Sequence, residues 1–339
     1  MDISDLVEKA KLVFDAEDEE GGKFVPTNFP KHLLEKAPEI SNILMQSSFI
    51  EKANRYSKHD NEAIIAQAIF KKYSHQATYA ICTAAIGGSL TAGIAASNLD
   101  STINIVTIIL FLLGLLSTFC GSLAVYRMYQ INNDNLLETW MRSRANAETE
   151  RLAYFDSMSR YIIDNYRSNT YIQVLFMHFF KRYQVDAQHS FYTSRRNEHR
   201  SSHERTSKIG AIGGLLLALG SGLLGLIGAI TPKYLPIAAL GTIGAAILVV
   251  ASRREELNQD VRNAERYWRV ADNISKVSEK FDETLMLIIN KRKPELVLDF
   301  VEAIHEQLSL EHRQWTSDAN RISPAIGALE ESIKCLNQK

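Results

Sequence analysis

Four stretches of this chain carry no charged side chain, and between them the polar positions return with helical spacing. Gln76 to Leu99 is uncharged, as are Ser101 to Tyr126, Ile209 to Pro232 and Tyr234 to Ser252. The stretches pair off, separated by Asp100 in the first pair and by Lys233 in the second. A bilayer core of roughly 30 Å needs about 20 apolar helical residues, so the pattern predicts two membrane hairpins. Outside them, Leu137, Met141, Ala145, Leu152, Phe155 and Ile162 recur every third or fourth residue or at multiples of that step, which predicts an amphipathic helix of roughly 30 residues. A turn at RSNT (167–170) reverses the chain, and a second long helix leads into the third stretch. The fourth stretch is expected to run on as one helix, with Trp268, Ala271, Ile274, Phe281, Leu285 and Ile288 on one face, until Lys293-Pro294 ends it.

The fold class expected is therefore an all-α membrane protein. Two transmembrane hairpins, four spans in all, continue into long cytoplasmic amphipathic helices that form a bundle. The order is an acidic segment (1–40), then a helix-hairpin-helix unit (41–165, spans about 77–98 and 102–126). A second such unit follows (166–292, spans about 209–231 and 235–252), and then C-terminal cytoplasmic helices (293–339). This is a loose internal duplication.

Composition sharpens the membrane reading. Of the 17 glycines, fourteen lie in the four uncharged stretches, seven of them in KIGAIGGLLLALGSGLLGLIGAI (208–230). Glycine weakens helices in water, but in lipid the backbone must satisfy itself and glycine lets helices approach closely. Gly210, Gly214, Gly222 and Gly225, together with Gly88, are expected at helix-packing or pore-lining contacts, with Ser221 facing inward and Thr91 a lesser candidate in the first span.

The net charge of −1 is uninformative, but its distribution is not. Lys71 and Lys72 precede the first stretch and Arg127 follows the second; Arg253 and Arg254 follow the fourth. The positive-inside rule then places both termini and the middle region in the cytoplasm of a multi-pass protein in the bacterial inner membrane. MDISDLVEKA lacks the basic and apolar regions of a signal peptide. Arg195, Arg196, Arg200, Arg205 and Lys208, before the third stretch, suit anionic lipid headgroups or a phosphorylated signal.

Candidate chemistry is sparse. No phosphate-binding loop, nucleophile elbow or dinucleotide fingerprint occurs, and Cys82, Cys120 and Cys335 have no metal-ligand spacing, so neither an enzyme nor a cofactor is expected. His199 and His203 share a helix face, but no third ligand accompanies them. Glu148 falls on an apolar stripe with Arg144 and Arg151 one turn away on either side. It reads either as a bridge that fixes helix register or as an ion-pair switch, with Trp140 on the same helix.

The segments TWMRSRANAETERLAYFD (139–156), YQVDAQHSFYTSRR (183–196) and SLEHRQW (309–315) resemble the SLATT family, in a tandem arrangement over roughly 45–316. The second copy departs from it: RVADNISK follows Trp268 with no counterpart of Glu148. The resemblance implies an effector of a bacterial antiphage system. Such an effector forms a homo-oligomer and permeabilises the inner membrane when an operon partner (a nucleotide cyclase, nucleotide sensor or reverse transcriptase) signals infection. No direct nucleic-acid binding is expected. A membrane scaffold without a pore, or a constitutive small-solute channel, is the alternative.

Overall fold

A computed structural model describes residues 3–14, 24–95, 105–227 and 238–319. The acidic run 15–20, both hairpin turns and Cys335 lie outside the described residues. Every described element is a helix. In order these are α1 (Ile3–Phe14), α2 (Phe29–Leu33), α3 (Pro38–Leu44), α4 (Ser47–Ala95), α5 (Ile105–Asn133) and α6 (Leu136–Asn165). Next come α7 (Thr170–Phe180), a π-helical turn (Lys181–Asp186), α8 (Ala187–Ile227) and α9 (Ala238–Asn258). The last three are α10 (Asp260–Ser278), α11 (Phe281–Lys291) and α12 (Glu295–Ala319).

The expected turn at RSNT is present, and its chemistry is visible: Asn169 caps α7 by accepting a 3.3 Å hydrogen bond from the Ile172 amide. The single helix expected after the fourth uncharged stretch is instead three. Gln259 (φ 48°) separates α9 from α10, and the chain bends again before Phe281. Arg292 (φ 49°) ends α11 just before Pro294. The left-handed residues are not glycines, so no glycine marked these breaks.

The described residues fall into two compact units, each assembled from several parts of the chain rather than in series. The first contains residues up to 65, 139–198 and 262–317; the second contains 66–138 and 199–261.

The first unit is built around α7. Its sequence TYIQVLFMHFF is apolar nearly all round, and Ile172 to Phe180 are all buried, as expected of a central helix. Aromatic side chains fill the space about it. Phe29 and Phe179 meet edge to face at 5.3 Å, and Phe155 and Phe180 do the same at the same distance. The acidic N-terminal segment contributes more than charge, because α1 buries Ala10, Val13 and Phe14, and Phe14 reaches Phe179 at 6.1 Å.

The second unit reverses this arrangement. Thr107–Asn133 is 27 residues long and apolar enough to cross a membrane by length and composition, yet only 6% of its apolar window is buried. It is the one such segment among the described residues. Phe111, Leu112, Leu115 and Phe119 all face outward, Phe119 with 68% of its surface exposed. The other three uncharged stretches lie in α4, α8 and α9, whose described parts are rich in glycine and alanine.

Candidate functional site

In the first unit the Glu148 carboxylate is 8% exposed and lies between two guanidinium groups on α6. Arg144 Nη2 donates to Glu148 Oε1 at 2.7 Å, and Arg151, 3% exposed, pairs with Oε2. A buried carboxylate without such partners would be strongly disfavoured. The expected triplet is thus present, and α4 enlarges it. Asp60 Oδ1 accepts from Arg144 Nη1 at 3.4 Å, and Glu62 accepts from the Ser143 hydroxyl at 3.3 Å. Arg55, also on α4, reaches Glu150 at 3.1 Å.

The electrostatics follow from this crowding. Burial opposes the charge on Arg144, but Glu148 first, then Tyr192, Tyr56 and Asp60, hold its guanidinium above the usual range. Burial raises the Asp60 carboxyl despite the Arg144 charge, which pulls the other way. Tyr56 is pushed up to about 12 by burial and then by Asp60. His305, on α12, is driven down to about 4 by burial and then by Arg151. The cluster holds Arg144 and Arg151 against Glu148 and Asp60, two charges of each sign, in a setting where removing one partner strands another.

The amphipathic face of α6 turns about this cluster. Phe155 and Ile162 are buried as expected, but Leu137, Met141, Ala145 and Leu152 are only half-buried. Ala147, Tyr154 and Met158 are buried instead. The buried face of α6 thus carries Glu148 and Arg151 alongside Tyr154, Phe155, Met158 and Ile162. Trp140 is half-buried on the same helix.

In the second unit α8 packs against α9 through glycine, most closely at positions that the sequence reading did not single out. A Cβ on Gly220 would collide with the Gly241 backbone, and one on Gly244 with the backbone of Leu217. At Gly213 it would lie 2.9 Å from Leu248 N. By contrast, Gly214, Gly222 and Gly88 face open space, and Gly210 meets only the Ala251 methyl at an ordinary 3.5 Å. The seam is therefore Gly213 and Gly220 against Gly241 and Gly244. Gly225 lies on α8, in a part whose side-chain surroundings are not described. Between the seam glycines Leu215 and Leu219 point outward, so small residues are inside and large ones outside.

Hydroxyl groups along these helices are turned onto their own backbone. Thr83 donates to Tyr79 O at 3.0 Å, Thr91 to Gly87 O at 2.8 Å, Thr118 to Gly114 O at 2.9 Å and Ser221 to Leu217 O at 2.8 Å. Ser221 is exposed and Thr91 half-buried. The bond to the carbonyl four residues back is how a hydroxyl satisfies itself in an apolar setting.

The cationic segment is partly neutralised along its own helix. Arg195 pairs with Glu198 at 2.6 Å and Arg200 with Glu204 at 3.4 Å, while Arg205 donates to the Ser201 hydroxyl at 3.2 Å. Arg196 is half-buried and Lys208 exposed. His199 and His203 each face a carboxylate rather than a shared ion: His199 Nδ1 lies 2.6 Å from Asp260 and His203 Nδ1 3.2 Å from Glu255. Among the described residues no cluster of three or more His, Cys, Asp or Glu could hold a metal.

One cavity of about 240 Å³ opens in the second unit, among α4, α8 and α9. Ile212, Ile247 and Val250 form much of its wall; Lys71, His75, Thr206 and Arg254 also line it. No local sequence signal marks it, because its lining comes from three distant stretches.

No protein-family description, curated protein or solved structure matches the chain.

Proposed function

We propose that this chain is a membrane-embedded effector of a bacterial antiphage system that opens the inner membrane when a partner or nucleotide signal arrives. Four helices, the uncharged stretches of α4, α5, α8 and α9, cross the bilayer as two hairpins, with both termini cytoplasmic. Several copies assemble, and the operon partner is a nucleotide cyclase, a nucleotide sensor or a reverse transcriptase. The observation that carries the membrane part is the inverted second unit, with glycine at its helix seam and leucine, isoleucine and phenylalanine outside. Water would not tolerate so large an apolar surface on a monomer, whereas lipid requires it. The effector part rests on the resemblance of 139–156, 183–196 and 309–315 to the SLATT family.

In this reading the Glu148 cluster is the latch of the cytoplasmic unit. Its charges balance only when α4 and α6 hold their register, so a trigger that displaces either helix leaves charges unmatched. The closed state is the tight glycine seam; rearranging it lets water in.

The chain, expressed with its triggering partner, is followed with a membrane-potential dye. Depolarisation before growth arrest is the expected result. Arrest with an intact potential would remove the pore and leave a scaffold that recruits cytoplasmic proteins. Topology is checked separately: cysteines placed at Ser101 and Lys233 should react with an impermeant reagent from outside the inner membrane, and one at Arg160 should not.

A further inference from the structure

We propose that the cavity among α4, α8 and α9 binds one anionic membrane phospholipid, with an acyl chain inside and the phosphate against Lys71, His75 and Arg254. This rests on the second unit lying in a bilayer. Sites that enclose a whole small molecule run to roughly 300–1,000 Å³. At about 240 Å³ this one takes a single arm of a ligand, not all of it. The wall at Ile212, Ile247 and Val250 suits a hydrocarbon arm, and Ile209 and Ile212 continue it onto the exposed surface.

The polar side of the cavity is cationic. Lys71 and Arg254 both act on His75, whose ring is held below its usual range first by burial and then by those two charges. Asp260 acts on His75 in the opposite sense, but it is engaged by His199 and Ser202. Two of the lining residues each carry a buried polar atom without a hydrogen-bond partner: Arg254 Nε and the Thr206 hydroxyl, the latter on a side chain only 4% exposed. Buried donors left unsatisfied are costly, and a phosphate diester accepts from both types. The neighbouring Arg253 is already paired with the Glu256 carboxylate at 2.8 Å, whereas Arg254 Nη1 reaches the Tyr79 hydroxyl at 3.5 Å, so the two adjacent arginines are not equivalent. A belt of half-exposed and exposed tyrosines (Tyr73, Tyr79, Tyr126) with Arg127 over the Tyr73 ring at 4.7 Å belongs to the same unit, as at membrane interfaces.

The test uses the full-length chain, delipidated in detergent and examined by native mass spectrometry with titrated dioleoyl phosphatidylglycerol or dioleoyl phosphatidylcholine. Phosphatidylglycerol should bind about tenfold or more tightly, and Arg254→Gln should remove that preference, as expected for one charge-assisted contact. Arg253→Gln should leave it unchanged, and Val250→Trp, which fills the cavity, should weaken both lipids. Equal affinity for the two lipids, or equal effects of the two arginine substitutions, would overturn the proposal. So would inorganic phosphate competing as well as phosphatidylglycerol, since a free anion would then be the ligand. Flotation of the same protein with vesicles separates the two readings: a chain that stays behind overturns both. One that floats but ignores the headgroup loses only the lipid site.

Discussion

The two units use the same backbone element and opposite rules for covering it. Around α7 the large side chains point inward and meet one another, Phe155 on Phe180 and Phe29 on Phe179. Along α5 and α8 they point outward, Phe119 and Leu215 included, while Gly213, Gly220, Gly241 and Gly244 occupy the inside. In water the apolar surface drives association, so a core is made of what is large. In lipid that drive is absent, and helices hold together by close backbone approach, so a core is made of what is small. The contrast supports the proposed difference in solvent between the two units more directly than the hydropathy of any one helix does.

Substituting matched residues is the strongest way to break the contrast. Phe155→Ala should destabilise the detergent-solubilised chain by about 3–5 kcal/mol, as for other buried phenylalanines. Phe119→Ala should change its thermal unfolding little, because that ring is 68% exposed and, under the proposed function, meets lipid or detergent on either side of the transition. Equal losses would mean that α5 has a protein partner. Next, Gly220→Leu should prevent the α8–α9 hairpin from closing, at a cost of about 3 kcal/mol or more. Gly222→Leu, whose side chain would enter open space, should leave the hairpin intact. Proteolytic sensitivity of the purified variants reports both.

A polar core exception comes third. Glu148→Leu should cost about 3 kcal/mol by leaving Arg144 and Arg151 without their shared counter-ion, and the further change Arg151→Met should restore part of the loss. A pH dependence is expected as well. The folded His305 ring sits near 4 against an ordinary value of about 6.5, so the folded chain resists the proton that the unfolded chain takes up. The stability it confers is complete above about 6.5 and is lost as the pH falls towards 4. His305→Leu should flatten that limb of the unfolding profile; an unchanged slope would mean that other groups set it.

Much of this was legible before any coordinates. The missing charges from Gln76 to Leu99 and from Ser101 to Tyr126 locate α5 and the apolar end of α4, and Asn169 marks the start of α7. The pairing of Glu148 with Arg144 and Arg151 follows from one-turn spacing. The participation of Asp60 does not, because it lies 84 residues from Arg144 and no local spacing relates them. Nor could the sequence choose among the α8 glycines. Gly210, Gly214 and Gly222 lie beside Gly213 and Gly220 in one run, and the contact face depends on where Gly241 and Gly244 stand on the opposing helix. The core role of α1 was hidden for a different reason: the acidic residues of the first 20 dominate its composition, while three small or aromatic positions do the packing.

The back-bonded hydroxyls have a consequence of their own. In Thr83, Thr91, Thr118 and Ser221 the hydrogen is committed to a carbonyl, while each oxygen keeps lone pairs to offer. A wetted passage bordered by such groups would coordinate permeant cations and give anions nothing to hold. Any current through these helices should therefore reverse near the potassium or sodium potential rather than that of chloride.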